Sequence, residues 1–141
     1  MAAVAQDAAA VEPEATKTPL LIMVVDDSAA VRKITKAKLE GVGYTVELAS
    51  NGEEALAKYT SQPPGYYHVI LLDIYMPVLD GVRLANIIRE REATEAKGNH
   101  QLIIGLSAET RNITSDTMDS CLLKPFNLDS FERCVGLFHV R

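Results

Sequence analysis

The sequence has few cysteines, no long apolar run and no basic cluster, and each absence excludes a class of protein. Cys121 and Cys134 are its 2 cysteines, and their spacing forms neither a disulfide framework nor a metal-binding CxxC pair. No stretch approaches the ~18–20 uninterrupted apolar residues of a membrane span. The net charge is −5, and no Lys/Arg cluster is interleaved with aromatic residues as a nucleic-acid surface requires. We therefore expect a protein of the reducing cytoplasm that binds neither nucleic acid nor membrane.

The chain of 141 residues has room for one domain with short extensions. Residues 1–19 are rich in alanine, with scattered acids and prolines and no aromatic anchor, and they predict a flexible N-terminal tail. A secretory signal is not expected there, because the first basic residue is Lys17 and Asp7 interrupts the alanines. We assign residues 20–141 to a single domain.

From residue 20 onward, short β-branched apolar runs alternate with longer segments of helical period. This alternation is typical of βα units in a doubly wound α/β fold with a parallel sheet. Five strands are predicted: Leu20–Val25, Thr45–Ala49, His68–Leu72, Leu102–Leu106 and Cys121–Leu123. Continuous apolar runs such as LLIMVV and HVILL suit strands that are covered on both faces.

Cap residues and apolar spacing predict a helix after most of these strands. The predicted helix starts are Asp27/Ser28, Asn51, Asp80 and Asn127. The segment Ala108–Asp119 is short and rich in Asn, Thr, Ser and Asp, which compete with helix hydrogen bonding. We therefore expect the fourth of five helices to be short or missing.

The first helix carries a different residue type on each of its two sides. Its predicted inner face consists of Ala30, Val31, Ile34 and Ala37. Its predicted outer face carries Arg32, Lys33 and Lys36. We expect the apolar side to pack against the sheet.

Polar residues follow the carboxyl ends of the predicted strands, the edge at which open α/β sheets bind ligands. They are Asp26 and Asp27, Asp73, Ser107, and Lys124 with Pro125. Three carboxylates at one edge repel each other, and a divalent cation among them resolves that conflict. Because the ligands are all oxygen atoms, Mg²⁺ or Mn²⁺ is favoured over zinc.

A metal, a carboxylate, a hydroxyl and an ammonium group together fit phosphoryl transfer. Asp73 is the predicted nucleophile, because it lies centrally and the turn that follows it leaves the carboxylate exposed in the cleft. Taken singly, Asp26 and Asp27 fit a helix cap beside an exposed acid, and Asp73 fits an ordinary turn residue. The joint occurrence with Ser107 and Lys124 favours a site.

Four motifs in this order, DD, DIYMPVLDG, LSA and KPF, resemble a response-regulator receiver domain of two-component signalling. The resemblance covers residues 20–140 and implies a flavodoxin-like (βα)5 fold with strand order 2-1-3-4-5. It implies a phosphoacceptor domain that takes a phosphoryl group onto Asp73 from a phosphohistidine on a sensor histidine kinase or histidine phosphotransfer protein. It also implies a downstream protein target and no enzymatic activity beyond self-phosphorylation and autodephosphorylation.

The resemblance implies a set of metal ligands. Asp27, Asp73 and the backbone carbonyl of Tyr75 would bind Mg²⁺, with Asp26 acting mainly through water. Tyr75 and Glu109, which flank the pocket, would tune the rate at which the acyl phosphate is hydrolysed.

The resemblance also implies the phosphoryl contacts. Ser107 would hydrogen-bond one phosphoryl oxygen and Lys124 would pair with another. The peptide bond before Pro125 would be cis, so that Lys124 points back into the pocket.

Two departures from the family pattern concern signalling. The position three before Lys124, commonly aromatic and the family's switch residue, is Cys121, and the stretch from Ser107 to Lys124 is shorter than usual. We therefore expect phosphorylation to act by ordering the Ala108–Asp119 loop.

The same architecture also occurs with two other functions, an aspartyl-nucleophile phosphatase and an FMN-binding protein. A haloacid-dehalogenase-type phosphatase uses an aspartyl nucleophile within DxD, but Asp73-Ile74-Tyr75 lacks the second acid. A flavodoxin-like FMN site needs a hydroxyl- and glycine-rich phosphate loop after the first strand, where this chain has two carboxylates. The sequence is compatible both with a stand-alone receiver and with a receiver module excised from a hybrid histidine kinase.

Overall fold

The computed structural model describes residues 20–76, 79–95, 100–108 and 117–138. Within these residues the elements, in chain order, are β1 (Leu21–Val25), α1 (Ala29–Glu40), β2 (Thr45–Ala49), α2 (Gly52–Thr60), β3 (Val69–Asp73), α3 (Gly81–Glu95), β4 (Leu102–Ser107), β5 (Ser120–Leu123) and α4 (Leu128–Leu137). Each strand agrees with its predicted bounds to within about one residue, the usual disagreement at element ends. The predicted tail over residues 1–19 and most of the segment Ala108–Asp119 lie outside the described residues.

The strands form one parallel sheet in the order β2-β1-β3-β4-β5, which confirms the predicted order. Every position of β3 and of β4 is buried, as their continuous apolar sequences require of central strands. The register pairs Val25 with Leu72 and Asp73 with Leu106. The carboxyl ends of β1, β3 and β4 therefore meet at one edge.

Helices cover both faces of the sheet. Helices α2 and α3 pack on one face around a core that includes Ile70, Leu72 and Leu84. Helices α1 and α4 pack on the other face around Leu71 and Phe131. The fold is therefore doubly wound, as predicted. Among the described residues, every helix is too short or too polar to span a bilayer.

Side-chain caps begin the helices at the carboxyl edge of the sheet. Ser28, Asn51 and Asn127 each accept a hydrogen bond from a backbone N–H three residues later, and the Asp80 carboxylate accepts one from Arg83 N–H in the same way. These contacts satisfy N–H groups that lack partners in a first helical turn. All four predicted helix starts are confirmed.

The predicted inner face of α1 was wrong. Three of its four residues are exposed: Ala30, Ile34 and Ala37. Helix α1 instead buries Thr35 and Leu39, with Val31 half-buried on the same side. These three residues are spaced i, i+4, i+8 and share one helix face. Because Thr35 is polar, the spacing of apolar residues in the sequence does not indicate this face. Ile34, the residue before Thr35, lies outside this buried face and is 55% exposed.

Candidate functional site

The structure brings the three predicted carboxylates together. Asp26 and Asp27 follow β1, and Asp73 ends β3, which is the neighbour of β1 in the sheet. One carboxylate oxygen from each residue lies within 4.8 Å of the other two. Asp26 is 2% exposed and Asp73 4% exposed, whereas Asp27 is exposed. The expectation that the Asp73 carboxylate is exposed in the cleft was wrong: Asp26 and Asp73 are buried, and Asp27 is the member of the cluster that is open to solvent.

Lys124 reaches into this cluster from the end of β5. Its Nζ lies 3.1 Å from Asp73 Oδ2 and 3.6 Å from Asp26 Oδ2. Its backbone N–H donates to the Ser107 carbonyl at 2.7 Å, and its peptide bond to Pro125 is cis, the geometry that the resemblance implies. An ammonium group therefore sits beside two of the three carboxylates.

Burial and charge change the acid–base properties of the cluster. Burial raises the pKa of Asp73 and the Asp26 charge adds to the rise, although the Lys124 hydrogen bond and charge oppose it. Burial alone lowers the pKa of Lys124, but the hydrogen bond to Asp73 and the charges of Asp26 and Asp73 outweigh it, so the pKa is raised. Lys124 therefore stays protonated near neutral pH, while the ionised form of Asp73 is disfavoured by its surroundings.

The donor set fits a divalent cation. The Asp26 Oδ2 atom is buried, and beyond the Lys124 ammonium group at 3.6 Å it has no hydrogen-bond partner among the described residues, so it keeps an oxygen lone pair that a cation would satisfy. Oxygen ligands that include an exposed carboxylate suit Mg²⁺, which retains several waters. Asp26, Asp27 and Asp73 would hold it.

Of the remaining predicted site residues, Ser107, Tyr75 and Cys121 are among the residues that the structure describes. Ser107 ends β4 and is buried, and the Tyr75 backbone N–H donates to Asp73 Oδ1 at 3.2 Å, with the Tyr75 side chain exposed. Cys121 is half-buried on β5, where burial raises the pKa of its thiol. Glu109 lies outside the described residues. The roles of the Tyr75 carbonyl, Ser107 and Cys121 stay predictions.

Sequence reasoning missed one contact of the site. Arg32 was predicted to face outward, but it is half-buried, and its Nη1 donates to the Asp26 carbonyl at 2.7 Å. The position of Arg32 depends on which side of α1 faces the sheet. The i, i+4, i+8 spacing of Val31, Thr35 and Leu39 is the sequence signal that could have predicted that side.

An apolar groove of about 350 Å³ opens beside Lys124, between α1 and the loop that follows β5. It is lined by Val31, Ile34, Thr35, Lys38, Leu106, Lys124, Pro125 and Phe126. The misassigned Ile34 is therefore part of a surface that adjoins the carboxylate cluster through Lys124.

Comparisons by sequence find relatives over most of the chain. The profile of the response regulator receiver domain matches residues 22–135. The transcriptional regulatory protein ResD of Bacillus subtilis is 37% identical over 112 residues, which cover 75% of this chain and 42% of ResD. Hybrid signal transduction histidine kinase F of Dictyostelium discoideum is 33% identical over 112 residues, covering 76% of this chain and 10% of the kinase. The chain thus spans less than half the length of these two relatives.

Comparison of structures gives the same result. The response regulator TrrA of Thermotoga maritima, solved in complex with Mg²⁺-BeF, is 34% identical with a TM-score of 0.70, covering 84% of this chain and 97% of TrrA. TrrA in complex with the histidine kinase ThkA is 32% identical with a TM-score of 0.69 and the same coverage of 84% and 97%.

Proposed function

Because the chain belongs to the response regulator receiver family of two-component signalling, we propose that Asp73 accepts a phosphoryl group from a phosphohistidine on a partner protein. The observation that carries the proposal is the meeting of three carboxylates with Lys124 at the carboxyl edge of the sheet. A receiver is a signalling domain, and the chemistry proposed for it is its own phosphorylation and dephosphorylation. Residues 20–141 form the receiver in this proposal, with residues 1–19 as its tail.

The transfer joins an Asp73 carboxylate oxygen to phosphorus while the phosphorus–nitrogen bond of the phosphohistidine breaks. The electron pair of that bond leaves with the imidazole. Mg²⁺ or Mn²⁺ held by Asp26, Asp27 and Asp73 would supply positive charge to the transferring oxygens. Lys124, whose Nζ lies 3.1 Å from Asp73 Oδ2, would pair with one phosphoryl oxygen.

The aspartyl phosphate then changes the charge of the pocket. A phosphoryl group adds roughly −1.5 to −2 charges in other phosphorylated side chains, and it should draw Lys124 and Ser107 towards position 73. This movement is the proposed signal to a downstream protein. In this proposal Tyr75 and Glu109 would set how fast water removes the phosphoryl group.

The apolar groove beside Lys124 is the proposed docking surface for the phosphohistidine partner, a histidine kinase or phosphotransfer protein. The groove shares Lys124 with the pocket, so an occupant would hold its phosphohistidine close to Asp73. Lys38 also lines it, which suits a partner that carries negative charge beside an apolar surface. The solved complex of TrrA with the kinase ThkA supports a partner of this class.

Mass spectrometry after incubation with acetyl phosphate and Mg²⁺ tests the phosphoacceptor. One phosphoryl group should be added to the wild-type chain and none to Asp73→Asn. The matched control is Asp129→Asn, which removes an exposed acid from the first turn of α4, and it should be phosphorylated normally. Equal labelling of Asp73→Asn and the wild type would reject the assignment.

Comparing two phosphodonors tests the docking surface. Ile34→Glu should slow transfer from a phosphorylated histidine phosphotransfer protein but leave phosphorylation by acetyl phosphate unchanged, because the small donor needs no docking surface. Val42→Glu is the control, since Val42 is 51% exposed in the loop after α1, and neither donor should be affected. Unchanged transfer from the protein donor to Ile34→Glu contradicts the proposed surface.

A further inference from the structure

Arg32 fixes the main chain at the start of the acidic loop. Its Nη1 donates to the carbonyl oxygen of Asp26 at 2.7 Å, a charge-assisted hydrogen bond of the stronger kind. Arg32 N–H donates in turn to the Ser28 carbonyl at 2.9 Å, within the first turn of α1. The Arg32 guanidinium therefore contacts the acidic loop from α1, the helix that directly follows this loop.

Two further polar groups of Asp26, its N–H and its Oδ1, also have hydrogen-bond partners. Its N–H donates to the Ala49 carbonyl at 3.2 Å, and its Oδ1 accepts a hydrogen bond from Ser28 N–H at 2.9 Å. With the Arg32 contact, both main-chain groups of Asp26 have fixed partners. Because the peptide unit is planar, fixing the Asp26 carbonyl oxygen also fixes the nitrogen and the Cα of Asp27, the atom from which the Asp27 side chain extends.

We propose that Arg32 is a positioning residue for the cation site. Its hydrogen bond sets the Asp26–Asp27 peptide so that the exposed Asp27 carboxylate lies within 4.8 Å of those of Asp26 and Asp73. The inference rests on the proposed function, since it assumes that these carboxylates bind Mg²⁺. Partners that orient the ligands of a metal are typically worth about 10- to 100-fold in affinity.

The charge of Arg32 acts in the opposite direction to its hydrogen bond. A guanidinium near the cluster repels an incoming cation, so charge alone predicts that removing Arg32 strengthens Mg²⁺ binding. Positioning and repulsion therefore predict opposite signs, which an affinity measurement separates.

Calorimetric titration of the phosphate-free protein with MgCl₂ measures the effect. Arg32→Met should weaken Mg²⁺ binding about tenfold or more, while Arg32→Lys, which keeps a cationic donor one atom shorter, should recover part of the loss. Lys33→Met removes an exposed charge from the adjacent position of α1 and should leave the affinity unchanged. Asp27→Ala should weaken binding strongly, as a ligand does.

The amide resonances of Asp27 and Ser28, recorded without metal, give a second measurement. They should shift in Arg32→Met and return towards wild-type positions in Arg32→Lys. Mg²⁺ binding by Arg32→Met that is as tight as in the wild type, while Asp27→Ala loses it, overturns the positioning role and leaves the proposed function standing. Binding that Asp27→Ala does not weaken overturns both. If Arg32→Met fails to fold, Arg32→Gln, whose side chain is too short to reach the Asp26 carbonyl, replaces it: wild-type affinity and an unshifted Asp27 amide in that variant also overturn the role.

Discussion

The two edges of the sheet gather acidic side chains in different ways. At the amino edge, before β4 and β5, Arg89 of α3 pairs with Glu92 at 3.0 Å and with Asp119 at 2.9 Å. Arg89 also donates to the carbonyls of Thr117 and Gln101. We call this set the Arg89 cluster.

At the carboxyl edge, Asp26, Asp27 and Asp73 meet Lys124, and a buried oxygen of Asp26 is left without a hydrogen-bond partner among the described residues. In the Arg89 cluster each carboxylate has further donors: Ile103 N–H and His100 bond Asp119, and Gln101 N–H bonds Glu92. The comparison teaches that acidity alone does not mark a site. Acids that are fully paired hold a fold together, whereas acids left short of donors can bind a cation or react.

Breaking the Arg89 cluster should give the largest effect on stability. Arg89→Met leaves two largely buried carboxylates without their cation, and removal of one partner from such a pair typically costs about 3–5 kcal/mol. Chemical denaturation of the variant measures the loss. Arg83→Met, which removes an exposed arginine from the same helix, is the control and should change the free energy of unfolding little. If Arg89→Met had the same free energy of unfolding as the wild type, the paired acids at the amino edge would not stabilise the fold, and the contrast between the two edges would be wrong.

Mg²⁺ should stabilise the protein through the carboxyl edge alone. Ligand binding to the folded state adds about 2.7 kcal/mol at a hundredfold excess over Kd. Thermal denaturation with and without MgCl₂ should show this gain in the wild type and in Arg89→Met at temperatures where that variant is folded. The gain should be lost in Asp27→Ala and reduced less in Asp26→Ala. If Mg²⁺ failed to stabilise Arg89→Met but still stabilised Asp27→Ala, the cation would bind at the amino edge, which would contradict the prediction.

Neutralising Asp73 should raise stability, the opposite sign to the loss expected at the Arg89 cluster and smaller in size. Burial raises the pKa of Asp73 in the folded protein, so folding disfavours its ionised form. The resulting loss of stability sets in as pH rises through the ordinary carboxyl range towards the raised pKa and is complete above it. Asp73→Asn should therefore exceed the wild type in unfolding free energy at pH 7, in EDTA, with a smaller difference at pH 4. A less stable Asp73→Asn at both pH values refutes this.

The smallest effect is expected at the exposed rim of the Arg89 cluster. His100 Nε2 lies 2.6 Å from Asp119 Oδ1, but the His100 side chain is 61% exposed. Exposed ion pairs contribute about 0.2–1 kcal/mol, so His100→Ala should cost no more than this in denaturation experiments at pH 6. A loss as large as that of Arg89→Met would show that His100, rather than Arg89, organises the cluster.

The carboxyl-edge cluster could be predicted from sequence because it depends on local rules. Each strand is a short apolar run, each polar residue directly follows such a run, and parallel strands bring those ends to one edge. Asp26, Asp27, Asp73 and Lys124 follow from that reasoning without knowledge of side-chain packing.

Features set by packing between elements could not be predicted in the same way. The buried side of α1 depends on how Leu39 and Thr35 fit beneath the sheet, and that rotation carries Ile34 into the groove and Arg32 onto the Asp26 carbonyl. The Arg89 cluster joins α3 to the starts of β4 and β5, and residues 89, 101 and 119 have no sequence pattern in common. Such contacts appear only once the elements are packed.

The chemical identity of the phosphorylated residue tests the central claim most directly. Borohydride reduces an aspartyl phosphate to homoserine, so reduction after treatment with acetyl phosphate and Mg²⁺, followed by peptide sequencing, marks the acceptor. Homoserine at position 73, with Asp26 and Asp27 unchanged, is the predicted result. Homoserine at position 26 or 27, or a phosphoryl group recovered on a serine or histidine, would contradict the assignment of Asp73 as the phosphoacceptor.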